Sequence, residues 1–502
     1  MRSTRRFPRI TAATAGVVTM AASLIGVLPG SAAAATIDHT VYWNGVLQQA
    51  YREATGTGAG PTTLSRAGAI MHLAMYDAAN SAKCTVSAAS CLGKPYLTKV
   101  TVPAGQTADM ETAIDHAAHR TLTALFGARF DDELTGAQNT IDPSVPQAQR
   151  DQARSIGLQV AQAMLDDRAD DGSANDTPYT AVTGPGHWRA TSSGPALGPN
   201  WGAVRPFAMT SGSQFRPGPP GGFASMGALL ASDAYKDQVA EVARLGSVNS
   251  SQRTADQRQQ AFFWANDVDG TYKPPGHLFE LTEIIAKQEQ VSPSGRVKLF
   301  AMVAMAMADA VIAAWDAKYR TDIDLWRPES AIRHGDQVPG SVHDPYWSPL
   351  SVNAAGQRFS PPFPAYVSGH ATLGGAWAKV MSWWFFGNDN ITFTATTDDP
   401  NAQRVTRQFT SFSAAALENA RSRIYLGVHY QWDADSGIQT GNGVSDHVTA
   451  GFLGVNQSST WLRFGNGTQS WCESQGQKFV DDHRWAEYQC VAEVDRWILS
   501  VR

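Results

Sequence analysis

Five stretches of this 502-residue chain repeat apolar residues at three- and four-residue spacing: LSRAGAIMHLAMYDAAN, METAIDHAAHRTLTALFG, QAQRDQARSIGLQVAQAMLDD, SGRVKLFAMVAMAMADAVIAAWDAKY and VTRQFTSFSAAALENARSRIY. Apolar residues at that spacing line one face of a helix, and that face has to be buried against other helices. Alternating apolar and polar runs of the kind that make strands are scarce, so the expected fold class is all-α. With 43% apolar and 17% charged residues the chain can bury a sizeable core, and its composition argues against disorder. The methionine run MVAMAMADA reads as core packing.

The first 35 residues read as an address. Arg2, Arg5, Arg6 and Arg9 precede the apolar run ITAATAGVVTMAASLIGVLPG, and SAAAA then offers a cleavage site. The expectation is a signal peptide over 1–35, export, and a secreted mature chain starting near Thr36. The pair Arg5 and Arg6 raises the twin-arginine route, but Phe7 follows it directly, and that route is the less favoured. No other apolar run looks long enough to span a bilayer, so the mature chain is expected to be soluble, without membrane contact. A net charge of −5 and a pI near 6.2 give no basic field of the kind nucleic-acid binders use. Any anion has to be met by a local cluster.

Between the leader and the end, the pattern divides into a helical layer over 36–170, a Gly/Pro-rich connection over 171–223 (TGPGHW, SSGPALGPNWG, RPGPPGG), a larger helical bundle over 224–456, and a Trp- and Cys-bearing tail over 457–502. The layer and the bundle are expected to share one core. Ser251 is placed as the N-cap of QRTADQRQQAFFWAND, and Ser294 has no clear capping role. Cys84, Cys91, Cys472 and Cys490 allow three pairings. Closing short loops costs least entropy, which favours Cys84–Cys91 and Cys472–Cys490. No CxxC spacing supports a cysteine-ligated metal.

Chemistry collects in three stretches: AKYRTDIDLWRP at 317–328, PPFPAYVSGHATLGG at 361–375 and SRIYLGVHYQWDADSG at 422–437. They offer Lys318, Arg327 and Arg423 as positive charges, Ser368 and the Gly369 N–H as neutral donors, and His370 and His429 as titratable groups. Guanidinium forks and an ammonium around an N–H at a helix N-terminus are what a tetrahedral oxyanion needs, because several charge-assisted bonds then share its charge.

In order and spacing these blocks resemble the signature K…RP, PSGH, SRxxxGxHxxxD of the vanadium-dependent haloperoxidases and the acid phosphatases of the PAP2 superfamily. Ser422, Arg423, Gly427, His429 and Asp433 all fall on the third block. The resemblance covers about residues 300–440; before that, MHLAMYDAAN and FWANDVDGTYKPPGH look like helical segments of the bacterial haloperoxidase-like branch. It departs in two places. The usual lysine lies seven positions before the RP arginine, where this chain has Arg320, and Lys318 lies nine before Arg327; Lys318 is favoured because WDAKY resembles the haloperoxidase branch and DIDL reads as a loop able to absorb two residues. Val367 stands where proline is common.

The resemblance implies a helical bundle with long irregular loops and vanadate as cofactor. It makes His429 the axial metal ligand, supported by Asp433, and His370 the acid or base. Lys318, Arg327, Arg423, Ser368 and Gly369 would hold the vanadate oxygens, with Lys318 also polarising the peroxide. Hydrogen peroxide, a halide and a small organic substrate would be the partners. With phosphate in the same cage, His429 becomes the nucleophile of a phosphatase and His370 protonates the leaving alcohol. Phe363, seven positions before His370, would form the apolar wall of a halide pocket as in the chloroperoxidase type, and tilts the reading toward the peroxidase. A third reading is a catalytically silent binding scaffold.

Other candidates carry less. His72, His116, His119, His334 and His343 are expected to be structural histidines. Asp316, Asp322 and Asp324 lack the glycine and terminal glutamate of a calcium loop and are expected to be solvated loop carboxylates.

Overall fold

The computed structural model describes residues 37–192, 194–353, 355–453, 462–481, 487–493 and 496–501. The leader expected over 1–35 and part of the tail lie outside the described residues. The fold is mostly helical, with 15 α-helices and five short strands among the described residues.

Its hub is the helix Pro293–Tyr319, in which every residue from Val297 to Lys318 is buried. Pro293 occupies the first turn, where its missing N–H costs nothing, and the Ser292 hydroxyl caps Gly295 N. The cap therefore falls on Ser292, and Ser294 lies inside the helix. This helix is long and apolar enough to cross a membrane, but 94% of its apolar window is buried inside the protein. Around it pack Pro61–Val86, Gly369–Trp384 and Gln431–Gly451. The last two helices cross so closely that a Cβ on Gly441 would lie 2.2 Å from the Thr372 carbonyl oxygen. One apolar cluster runs from Trp43 to Leu453 and includes side chains from both the 36–170 layer and the later helices.

The long connection after the helix Gln147–Asp167 contains only short 3-10 turns. It is tied to the hub by Asp309, a fully buried carboxylate that accepts the N–H groups of Phe207 (2.7 Å), Ala208 (2.8 Å) and Met209 (2.7 Å). Asp309→Ala orphans three N–H groups and is expected to cost about 3 kcal/mol. Hydrogen exchange should show lost protection at 207–209 before any elsewhere.

Two local readings are corrected. The helix expected from Ser251 starts at Ala255, because Thr254 and Gln257 form a reciprocal capping box, and it ends at Phe263. The expected helix over 405–425 begins at Phe412, and Thr406–Phe409 instead pairs antiparallel with Phe393–Thr396. The tail contains a three-stranded sheet in which Arg496–Val501 lies between Leu462–Gly467 and Tyr488–Glu493. Both disulfides follow local closure, Cys84–Cys91 with Cα atoms 4.5 Å apart and Cys472–Cys490 at 5.9 Å. Disulfides of this kind belong to an extracytoplasmic compartment.

Candidate active site

The helices deliver the chemically active side chains from their ends. Lys318 lies in the last turn of the hub helix, Arg327 caps the helix Pro328–Arg333, and Ser368 caps Gly369–Trp384. Gly369 is the first residue of that helix, where the N–H has no intrahelical acceptor. Arg423 ends the helix Phe412–Tyr425, and Asp433 sits in the first turn of Gln431–Gly451. Gly427 makes the turn between these last two helices. Its φ is +84°, and a Cβ there would fall 2.5 Å from the Gly246 carbonyl oxygen, so glycine alone fits. His429 lies two residues further on.

Two bonds define the state of His429. Arg327 Nη1 lies 3.0 Å from His429 Nε2, and a guanidinium can only donate, so Nε2 carries the lone pair. The proton is then on Nδ1, which donates to Asp433 Oδ2 at 2.9 Å. Burial, then the charges of Arg327, Lys318 and Arg423, push the His429 pKa well below its ordinary value and keep the ring neutral. Asp433 also accepts the Tyr430 N–H at 3.0 Å, and its own carbonyl accepts from Ser368 N at 3.0 Å, which joins the second and third blocks.

Arg327 is fully buried and spends Nε on the Phe363 carbonyl (2.7 Å) and Nη1 also on the Val428 carbonyl (2.7 Å). Arg423 spends Nη2 on Asp267 Oδ2 at 2.8 Å. Arg327 Nη2 and Arg423 Nε and Nη1 are buried without a partner. His370 Nε2 lies 3.1 Å from the Ala265 carbonyl oxygen, which only accepts, so Nε2 is protonated, and the Trp264 backbone is a second hydrogen-bond partner of the ring. Burial and the charge of Arg423 lower the His370 pKa to about 4. Lys318 is fully buried, and its ammonium donates to the carbonyls of Pro364 (2.8 Å), Ala365 (3.1 Å) and Val367. The Phe363 ring packs at a tilt 5.0 Å from the Trp315 ring and lies 4.6 Å from the Arg327 guanidinium.

Three cations, Lys318, Arg327 and Arg423, thus meet two carboxylates, Asp267 and Asp433. Burial and the repulsion of Arg423 bring the Arg327 pKa down to about 9, despite Asp433. Unpartnered buried guanidinium nitrogens beside a neutral imidazole lone pair fit a tetrahedral oxyanion with a metal centre, such as vanadate, because they supply both oxygen donors and a ligand.

Asp267 has no role in the sequence reading, although FWANDVDG contains it. Its signal was one of two carboxylates, Asp267 and Asp269, in a segment already resembling the family. Burial works to raise its pKa, but Arg423 and His370 outweigh burial and hold it below the ordinary carboxylate range. A depressed folded value adds stability that is present above about pH 4 and lost as pH falls through the folded pKa. Asp267→Asn is therefore expected to remove about 2 kcal/mol near neutrality and to flatten the acid limb of the stability curve, read by chemical denaturation at a series of pH values.

The remaining candidates separate clearly. Asp316 is buried and held by Arg216 Nε (2.5 Å) and Nη2 (3.0 Å), and Arg320 pairs with it at 3.5 Å while half exposed. Asp324 is also buried, bonded to His187 Nδ1 (2.5 Å) and the Tyr179 hydroxyl (2.7 Å). Neither is a solvated loop carboxylate; of the three, Asp322 alone is exposed. The connection over 171–223 supplies their partners, which no local pattern reveals. His72 is buried between Phe279 and Phe300 with both ring nitrogens unpartnered, and burial lowers its pKa to about 3. His119 bonds Asp131 at 2.8 Å.

Residues 298–455 match the family model for the VCPO second helical-bundle domain. A bacterial vanadium-dependent iodoperoxidase has the same fold, with a TM-score of 0.65 and 24% identity over 82% of this chain and 95% of that one. A holo-type bacterial vanadium-dependent chloroperoxidase gives 0.61 at 17% identity over 79% and 92%. In sequence, vanadium chloroperoxidase of Curvularia inaequalis is 32% identical over 40% of this chain, and the match spans 40% of that protein's own length.

Proposed function

We propose that the chain is a secreted, vanadate-dependent haloperoxidase that oxidises halide with hydrogen peroxide to a hypohalous acid equivalent, which halogenates small organic substrates. The observation that carries this reading is the set of three unpartnered, buried guanidinium nitrogens around the neutral His429. Arg327, Arg423, Ser368 and the Gly369 N–H would hold the vanadate oxygens, and His429 Nε2 would be the protein's ligand to the metal; Lys318, expected from the sequence among the oxygen donors, gives its three N–H groups to backbone carbonyls and would act through its charge. Bound vanadate supplies a Lewis-acid centre that makes peroxide electrophilic toward halide. Asp433 keeps the proton of His429 on Nδ1 and so aims the lone pair of Nε2. His370, with Nε2–H held by Ala265, would use Nδ1 to take a proton from incoming peroxide and return it. Phe363 and Trp315 keep water from one side of Lys318 and give a halide an apolar wall.

The purified protein with orthovanadate, peroxide and bromide should halogenate a phenol dye, and omission of any one should stop the reaction. Cleavage of an aryl phosphate without vanadate, inhibited by vanadate, would replace this reading with a phosphatase acting through His429. Inactivity in both assays would leave a binding scaffold.

A further inference from the structure

The strap between the helices Ala255–Phe263 and Lys273–Gln288 meets the cluster through Trp264, Ala265 and Asp267, whose Oδ1 also lies 3.9 Å from His370 Nε2. Ala265 O accepts from His370 Nε2 at 3.1 Å, and the Asp267 carboxylate accepts from Arg423 Nη2 at 2.8 Å. Between them lies Asn266, fully buried, with φ +43°. That is the left-handed region, which asparagine tolerates better than most side chains.

A fixed set of partners holds it there. Asn266 Nδ2 shares its two protons among His277 Nδ1 (3.0 Å), Thr397 Oγ1 (3.1 Å) and Phe263 O (3.2 Å), and Asn266 Oδ1 accepts from the Thr397 hydroxyl at 3.3 Å. Its N–H donates to Asp399 Oδ2 at 3.1 Å, and its carbonyl accepts from Thr271 Oγ1 at 2.9 Å. His277 is itself fixed. Its Nε2 lies 2.7 Å from Thr396 O, which only accepts, so Nε2 carries the proton and Nδ1 offers its lone pair to Asn266. Burial lowers the His277 pKa to about 3, which keeps that arrangement neutral.

We propose that Asn266, locked by His277, is a positioning residue that sets the strap so that Ala265 holds the His370 proton on Nε2 while Asp267 faces Arg423. Both contacts hang on one pair of backbone torsions, so they are kept or lost together. The proposal rests on the haloperoxidase reading for the roles of His370 and Arg423, but its test needs no turnover.

Ring nitrogen NMR of the metal-free protein reports the His370 tautomer, and calorimetry with orthovanadate reports the anion site. Wild type should show the Nε2–H form. Asn266→Gly accepts positive φ but lacks the amide; it should give mixed His370 tautomers and bind orthovanadate about 10–100-fold more weakly. His277→Phe keeps the ring packing and removes the lone pair. It should shift both readouts the same way, and it serves alone if Asn266→Gly does not fold. Asp309→Ala, which loses the bonds to Phe207, Ala208 and Met209 and none to the strap, should change neither. Wild-type tautomer and affinity in both strap variants would overturn the proposal. A wild-type protein inert toward the dye, with the tautomer still shifted in Asn266→Gly, would sink the haloperoxidase reading and still support the positioning role.

Discussion

His429→Ala is expected to leave a folded protein that still binds an oxyanion weakly and has lost vanadate-dependent halogenation. The loss should exceed the ~10–100-fold that removal of an outer partner brings, since the ligand itself is gone. The cage that remains explains the residual binding. Arg327 Nη2 and Arg423 Nε and Nη1 are still unpartnered donors, and Arg327 Nη1 gains a free proton when the imidazole goes. Asp433 keeps its bond to Tyr430 N, so the first turn of Gln431–Gly451 should survive. Calorimetry with orthovanadate, a thermal melt and the dye assay together check all three statements. Full turnover in the variant would show that the ligand is another residue.

Lys318→Ala and Arg320→Ala are expected to differ sharply in stability and in activity. The Lys318 ammonium serves three buried carbonyls in the segment that leads to Ser368, and its removal leaves them without a donor. The cost should be about 3–5 kcal/mol, and peroxide activation should fall strongly, because the segment holding the helix N-terminus loosens as the charge is lost. Arg320 is half exposed and 3.5 Å from Asp316, a carboxylate that Arg216 already holds. Its loss should stay within about 0.5 kcal/mol and leave turnover unchanged. Lys318→Met keeps much of the stem and isolates the charge. Denaturation midpoints and dye rates for the three variants under one set of conditions decide the matter; a larger rate loss for Arg320→Ala would assign the lysine position to Arg320. Burial and the charge of Arg327 press the Lys318 pKa well below its ordinary value, against the pull of Asp433.

Much of the helical fold was legible because burial writes itself locally. Pro61–Val86, Met110–Phe126, Gln147–Asp167 and Pro293–Tyr319 each carry their apolar face at helical spacing. The two disulfides were legible for the same reason, since closing a short loop is a local matter. The caps at Thr254 and Ser292 were not, because a serine or threonine caps only where the backbone turns, and several nearby candidates compete. The strand Thr406–Phe409 was hidden in a helical pattern, its state decided by its partner Phe393–Thr396.

What the sequence by itself determined was a helical class, an oxidising destination for its cysteines, and three blocks of side chains able to meet an oxyanion. Their types and spacings are local facts. Only the tertiary structure decided that Asp267 faces Arg423, that Asn266 and His277 brace the strap between them, and that Asp316 and Asp324 are buried partners of Arg216 and His187. Each of these pairings joins residues far enough apart in the chain, or in loops irregular enough, that no periodicity marks them. A buried charge is stable only beside its complement, and which complement arrives is settled by how the helices and the long connection pack.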